Sequence, residues 1–218
     1  MIKYLLIALM ILSCNQNKSR PLTKEVELPA THVTDSIPEA VIKPAAVVHA
    51  NQLIIPGESM GLTSINENAD MVCKVLGKPD KGDAAMGKSL YTWYSKPVIT
   101  AKDTIINETN IFFIRNMGAV DEASRVDHIR VTSPFFMTRE KIKVGSGIDD
   151  IKKQFTVNKI ASYVSDKKKQ TIIVYDDQST GIAFEIDAMG ICTGITVHKS
   201  HKRAFETYIP FFRDFKIL

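Results

Sequence analysis

Apolar residues recur at helical spacing at two places in the chain. Both sets fall at i, i+3 and i+7, and they are Ala69, Val72 and Leu76 and then Ile148, Ile151 and Phe155. Residues at these intervals share one face of an α-helix, so two amphipathic helices are predicted. Ser64 followed by Glu67 matches a capping box before the first helix, and Gly77 followed by Pro79 predicts its end.

The second helix begins after the Gly-Ser-Gly sequence at 145–147. Ser146 followed by Asp149 has the spacing of an N-cap pair, although Asp reaches back less well than Glu. We therefore interpret Gly-Ser-Gly as the start of a helix and not as a nucleophile loop.

Three β-prone runs follow each predicted helix. They lie at 89–94, 111–114 and 126–131, and at 171–175, 182–186 and 193–197. Turn residues at 176–181 and 187–190 predict antiparallel hairpins in the second set, whereas the first set carries longer insertions at 97–110 and 116–125. The order predicts an α+β fold of two tandem helix-plus-antiparallel-three-stranded-sheet repeats, at 51–135 and 136–200. Neither unit could bury its helix and sheet face alone, so we expect one compact body.

The N-terminus carries the pattern of an export signal. Lys3 precedes an apolar run of nine residues at 4–12, whereas spanning a bilayer takes about 20. Ser13-Cys14 then resembles the lipobox of bacterial lipoproteins, in which the cysteine thiol is diacylated and the preceding bond is cut. The resemblance implies a signal peptide at 1–13, a lipid (palmitate-type) anchor at Cys14 and a location in the cell envelope. Asn15, in place of Asp, favours the outer membrane over the inner one. The alternative is an ordinary cleaved signal with Cys14 incidental.

Residues 14–50 are predicted to form a flexible tether. The segment is polar, lacks sustained apolar periodicity and contains Pro21, Pro29, Pro38 and Pro44. A flexible chain of this length has a typical end-to-end distance of about 30 to 35 Å. The folded part could therefore stand away from the membrane.

Three short motifs resemble a known type of exported protein. They are Pro56-Gly57-Glu58-Ser59-Met60-Gly61, Leu76-Gly77-Lys78-Pro79-Asp80 and Trp93. The pattern is similar to the helix-plus-sheet repeats of β-lactamase-inhibitor-protein-like and SmpA/OmlA-like outer-membrane lipoproteins. The resemblance implies a non-catalytic protein-binding or assembly module that uses a sheet face or loops. The second unit lacks both Leu-Gly-x-Pro-Asp and the tryptophan.

Composition gives no sign of catalysis or of nucleic-acid binding. The net charge of +4 is small and scattered, which does not favour a nucleic-acid groove. No G-x-G-x-x-G or H-E-x-x-H motif is present. We therefore predict no catalytic residue, metal or cofactor. Tyr91, Trp93, Phe112 and Tyr175 are the candidate residues for binding a protein partner in the envelope, although packing in the core is the simpler interpretation.

Several polar groups have both a functional and a structural interpretation. His128 is expected at the surface, in a strand where Val126, His128 and Arg130 alternate with Asp127, Ile129 and Val131. Asp176-Asp177 is interpreted as turn chemistry rather than a carboxylate pair. The segment from His198 to His201 is interpreted as basic and solvated rather than metal-binding.

Other residues leave alternatives open. Cys73 and Cys192 have three interpretations. The favoured one is two buried, inert thiols, the next is a disulfide between them, and the least favoured is a reactive thiol. The aromatic segment at 201–218 closes the core or forms a patch for a partner.

The predicted function is that of a membrane-anchored, non-catalytic binding or envelope-assembly module. The alternative is a ligand-sequestering protein or hydrolase whose site is assembled from residues distant in sequence. A cleft that gathers His128, Asp127 or the Asp176 pair, with a carboxylate or histidine whose pKa is strongly shifted, would favour the alternative, whereas an interior of Ile, Phe and Val would not.

Overall fold

The computed structural model describes residues 48–101, 103–165, 169–205 and 213–218. These residues belong to one compact unit, Ala45–Leu218. The predicted signal peptide, Cys14 and residues 15–47 of the predicted tether lie outside the described residues, as do Tyr208, Ile209, Phe211 and Phe212 of the C-terminal segment. Within the described ranges, no helix has both the length and the apolar character needed to cross a bilayer.

A nine-stranded antiparallel sheet forms the body of the fold. Its strands, in chain order, are β4 (Lys81–Ala85), β5 (Lys88–Tyr94), β8 (Glu108–Arg115), β9 (Ser124–Val131), β10 (Asn158–Val164), β11 (Thr171–Asp177), β12 (Ile182–Ile186), β13 (Cys192–His198) and β14 (Arg213–Ile217). Their order across the sheet is β14-β10-β11-β12-β13-β9-β8-β5-β4. Strands from distant parts of the chain meet at β9 and β13, where His128 lies opposite His198.

Two smaller sheets accompany the large one. The first contains β1 (Ile54–Ile55), β2 (Ser59–Met60) and β3 (Thr63–Ser64), and follows a 3₁₀ turn at Ala50–Gln52. The second pairs β6 (Val98–Ile99) with β7 (Thr104–Ile105).

The two predicted helices are present but short. They are α1 (Ala69–Leu76) and α2 (Ile148–Gln154). Gly77 ends α1 with φ of +81°, as predicted. Asn68 and not Ser64 caps the start of α1, although the Ser64 amide still donates to Glu67.

The start of α2 is also placed as predicted, but its predicted cap is wrong. Gly147 occupies the N-cap position and makes no side-chain cap bond. The Ser146 hydroxyl instead accepts a bond from the Lys143 amide.

Both helices pack on one face of the sheet. Val72 of α1 and Ile151 of α2 are fully buried in a cluster with Ile129, Phe184 and Ile195 from the central strands. Alternate residues of a strand point to opposite faces, so the apolar residues that alternate along β8, β9, β12 and β13 line this helix-covered face. Burial of this apolar surface is the main driving force for folding.

The predicted α+β fold of tandem helix-plus-three-stranded-sheet repeats is wrong. Of the described residues, 47% form strand and 11% form helix, and the strands join one nine-stranded sheet. All six predicted runs lie in strands, but β4, β10 and β14 carry no comparable apolar signal. β4 has the sequence Lys-Gly-Asp-Ala-Ala and is exposed along its whole length, so hydrophobic periodicity could not reveal it.

Candidate functional site

The face of the large sheet opposite the helices holds a buried set of polar side chains. They are Thr92, Asn110, Asp127, His128, Arg130, Asp176, Glu185, Thr196 and His198, each no more than 8% exposed. Each comes from a strand whose alternate residues line the apolar core. Buried polar groups are tolerated only when they are hydrogen-bonded, so their partners indicate what this face can do.

Arg130 and Glu185 form the centre of the set. Arg130 on β9 donates from Nε to Glu185 Oε1 at 2.6 Å and from Nη2 to Oε2 at 2.7 Å. Both side chains are about 95% buried. This bidentate pair joins β9 to β12 and bridges across β13, which lies between them.

Gly194 on β13 makes that bridge possible. It lies opposite Glu185 in the β12–β13 ladder. A Cβ at position 194 would lie 2.4 Å from Glu185 Oε2 and 2.8 Å from its Cδ. Any side chain here would therefore collide with the carboxylate that crosses the strand. Glycine is required at this position for space, not for its backbone conformation.

The network extends from this pair in both directions. Tyr163 on β10 donates its hydroxyl to Glu185 Oε2 at 2.9 Å. On the other side, Arg130 Nη1 donates to Asn110 Oδ1 at 2.7 Å, and Asn110 Nδ2 donates to Thr92 Oγ1 at 3.0 Å. The result is a continuous chain of side-chain hydrogen bonds from β10 to β5.

A second cluster surrounds His198 at the end of β13. Its Nε2 lies 2.9 Å from Asp176 Oδ1, and its Nδ1 lies 3.0 Å from the Lys199 carbonyl oxygen. Both neighbours are acceptors, so either His198 carries two protons or Asp176 carries one and donates it. The second oxygen of Asp176 accepts a bond from the Ala204 amide at 3.3 Å. The pair ties β13 and β11 to the chain that follows them.

His128 and Asp127 lie next to this pair. The His128 ring stacks on His198 with centroids 5.8 Å apart, and its Nδ1 contacts the Asp127 carboxylate. Lys199 Nζ lies 3.5 Å from the other oxygen of Asp127. The cluster therefore contains two His–Asp pairs with a lysine at its rim.

A β-bulge in β9 explains why Asp127 and His128, although adjacent in sequence, lie on the same face of the sheet. Phe112 lies opposite His128 and Phe113 lies opposite Val126, which leaves Asp127 as the extra residue of β9. Beyond the bulge the alternation shifts by one. Val126 joins the apolar core, and Asp127 joins the polar face. The simple alternation expected from the sequence is therefore wrong between Val126 and His128.

The expected positions of three polar residues also need correction. His128 is 3% exposed and not at the surface, and His198 is fully buried and not solvated. Asp176 lies within β11 and pairs with His198, whereas only Asp177 acts in the turn. Asp177 accepts bonds from the Thr180 amide and the Ser179 hydroxyl and also from the Thr156 amide.

The arrangements around His198 and Glu185 are closed. A catalytic histidine needs a ring nitrogen within reach of a substrate, but His198 uses both of its nitrogens and has no exposed surface. The Glu185 carboxylate is likewise occupied by Arg130 and Tyr163. Among the described residues, no group of three or more His, Cys, Asp or Glu side chains is placed to hold a metal.

An apolar cavity of about 90 Å³ lies at the margin of the polar face. Its apolar wall is formed by Leu90 of β5 and by Phe112 and Ile114 of β8. Its polar lining includes Asp83, Lys88 and Asp127. Phe112 also contacts the His128 ring edge-to-face, with centroids 6.2 Å apart. The cavity therefore lies directly beside the histidine cluster.

The four candidate binding residues do not come together. Tyr91 and Trp93 share a face, as predicted, and both pack against the apolar core with Tyr175. Trp93 Nε1 donates to the Gly77 carbonyl at 3.1 Å and so ties β5 to the end of α1. Phe112 lies on the opposite face. Of the four, Phe112 alone lines the cavity.

Both described cysteines are free thiols. Cys192 is buried and Cys73 is partly buried. Burial raises the pKa of Cys192 far above its ordinary value, with a smaller contribution from Glu185. Burial also raises the pKa of Cys73, together with the charge of Asp70. Thiols with raised pKa values are poor nucleophiles.

The sequence contained one usable signal for the polar network. Arg130 in β9 and Glu185 in β12 each lie between two apolar residues, and Asn110 in β8 directly precedes the apolar run at 111–114. That pattern is also what a solvent-exposed face produces. The opposite charges of Arg130 and Glu185, together with Gly194 on the strand between them, could have indicated the pair once the strand order was known.

Comparisons with known proteins do not extend this picture. No protein-family model, no curated protein and no solved structure matches the chain. The resemblance to β-lactamase-inhibitor-protein-like and SmpA/OmlA-like lipoproteins therefore rests on the short motifs alone.

Proposed function

We propose that this protein is a lipid-anchored, non-catalytic binding module of the bacterial cell envelope, held through Cys14 and most consistent with the outer membrane. The cavity beside Phe112 is the observation that carries the binding role. Its apolar walls at Leu90 and Ile114 suit an apolar side chain of a partner protein, and Asp83 and Lys88 provide polar contacts around it.

The polar face supports a non-catalytic role. Its most buried charges pair with each other, and these contacts hold strands from distant parts of the sequence in one sheet. A rigid sheet would hold the cavity walls in place, since a binding site gains affinity when it is formed before the partner arrives.

Site-specific photocrosslinking in intact envelopes tests the binding role. A photoreactive residue replaces Leu90 in the full chain, and a matched control places it at Met189, which is 82% exposed and lies on a hairpin away from the cavity. We expect one discrete protein adduct from position 90 that is absent from position 189. The adduct should disappear when Phe112→Lys places a charge in the cavity wall.

The anchor is tested separately. Cys14→Ala should move the full chain from the membrane fraction to the soluble fraction, and acyl labelling should be lost.

Equal adducts at positions 90 and 189 would contradict the cavity as the binding site. Membrane retention of Cys14→Ala, without an acyl label, would contradict the anchor. Recovery of a small molecule instead of a protein would favour the ligand-sequestering alternative.

A further inference from the structure

The two ends of the nine-stranded sheet are unlike each other. β14 forms one end, and its ladder with β10 has a register shift between Ser162 and Val164 and a positive φ of 53° at Asp214. Such irregularity interrupts an edge and discourages pairing with another chain. β4 forms the other end and pairs in regular register with β5 from Lys81 to Ala85. Among the described strands, β5 is its single neighbour.

The hairpin geometry shows which backbone groups of β4 point outward. Met86 and Gly87 form a two-residue turn with φ of 50° and 75°, the type I′ arrangement. In such a hairpin the closing pair, Ala85 and Lys88, exchanges hydrogen bonds. Because bonding alternates along the strand, Asp83 also faces β5. The N–H and C=O groups of Gly82 and Ala84 then face away from the sheet.

We propose that a second copy of this chain pairs antiparallel with β4, centred on Gly82. In this register Lys81 of each copy lies opposite Asp83 of the other, so the edge is complementary to itself in charge. Lysine on an edge strand normally discourages pairing, but here the opposite charge lies two residues away on the same face. Both side chains are exposed, and the whole strand is free of burial by the rest of the fold.

Charge distinguishes this register from its neighbours. Centring the pair on Asp83 would place two carboxylates directly opposite each other, which is unfavourable. Centring it on Ala84 would place no opposite charges together and would bring Gly82 against Met86 in the turn. Gly82-centred pairing makes two Lys–Asp contacts and uses the outward backbone groups of Gly82. The strand is short, so we expect a weak dimer.

Cysteine crosslinking in envelopes tests the register. Gly82→Cys is introduced into the full chain in a Cys73→Ala background, with Ala84→Cys as the matched control. Directly opposite Cα atoms in a hydrogen-bonded pair are about 5.5 Å apart, within disulfide range. In this register position 84 of one copy lies opposite position 80 of the other. The two copies of position 84 are therefore four residues apart along the strand, about 13 Å, which is beyond disulfide range. We expect a disulfide-linked dimer from position 82 and none from position 84.

A charge exchange tests the contacts independently of the cysteines. Lys81→Asp alone, or Asp83→Lys alone, places like charges opposite each other and should weaken self-association roughly tenfold. The double variant Lys81→Asp with Asp83→Lys should restore it. Sedimentation of the detergent-solubilised full chain measures the association.

Three results would overturn the proposal. They are crosslinking at position 84 in preference to 82, failure of the double exchange to restore association after both single changes weaken it, and a monomer at every concentration. None of them bears on the photocrosslink at position 90, so the dimer and the proposed binding function can fail separately.

Discussion

Gly194→Ala should destabilise the protein because the new methyl group displaces the Glu185 carboxylate from its ion pair with Arg130. The added methyl would lie 2.4 Å from Glu185 Oε2, whereas an ordinary contact begins near 3.4 Å. The carboxylate must therefore move by about 1 Å. The two hydrogen bonds to Arg130, now 2.6 and 2.7 Å long, would then stretch to about 3.6 Å, which is no longer a hydrogen bond.

The size of the effect follows from burial of the pair. Removing one partner of a buried, hydrogen-bonded ion pair costs about 3 to 5 kcal/mol. A displaced carboxylate keeps part of its attraction to Arg130, so we expect a loss of about 2 to 4 kcal/mol. In a domain of this size each kcal/mol lowers the melting temperature by about 2 to 4 °C. The variant should therefore melt roughly 5 to 15 °C below the wild type.

Urea unfolding followed by the fluorescence of Trp93, the single tryptophan, measures the loss. The decisive control is a double-mutant cycle with Glu185→Ala. When the carboxylate is absent the new methyl meets nothing it must displace, so Gly194→Ala should cost almost nothing in that background. An unfolding free energy within about 0.5 kcal/mol of the wild type, or an equal cost in both backgrounds, would refute the reasoning.

Two further predictions concern the helix-covered face. At pH 8 an alkylating reagent should label Cys73 more slowly than a free thiol, since its raised pKa leaves less thiolate, and labelling should accelerate as the pH rises. Cys192 should stay unlabelled until the chain unfolds, and mass spectrometry after digestion would expose any rapid native labelling that contradicts this. Trp93→Phe removes the bond to the Gly77 carbonyl and should cost about 1 to 2 kcal/mol in thermal unfolding followed by circular dichroism. An unchanged melting temperature would show that this contact does not stabilise the end of the helix.

Local sequence signals located much of the regular structure. The apolar runs at 111–114, 182–186 and 193–197 all lie within strands of the sheet. The turns after Asp177 and Asp187 join antiparallel strands, as predicted. Gly77 ends the first helix because a positive φ is easy for glycine and unfavourable for other residues. Such signals depend on neighbours within a few residues, so a single sequence contains them.

The candidate site was mostly beyond prediction. Tyr91 and Trp93 were correctly placed on one face, but aromatic character alone could not separate core packing from binding. The position of Phe112 beside His128 depends on the bulge in β9, and that bulge has no glycine or proline to mark it. The pairing of His198 with Asp176 joins residues from different strands, which only the register brings together.

The sequence by itself determined where the first helix ends, where the second begins, which turns connect neighbouring strands and, outside the bulge in β9, which residues of the predicted strands share a face. The tertiary structure decided what lies against each face and which strands are neighbours. Arg130 and Glu185 illustrate the difference. Alternation placed each on the polar side of its strand, but a polar side can be solvated or buried. Whether two charges 55 residues apart become an ion pair depends on strand order and on a glycine between them, since electrostatic contact is a property of distance in space.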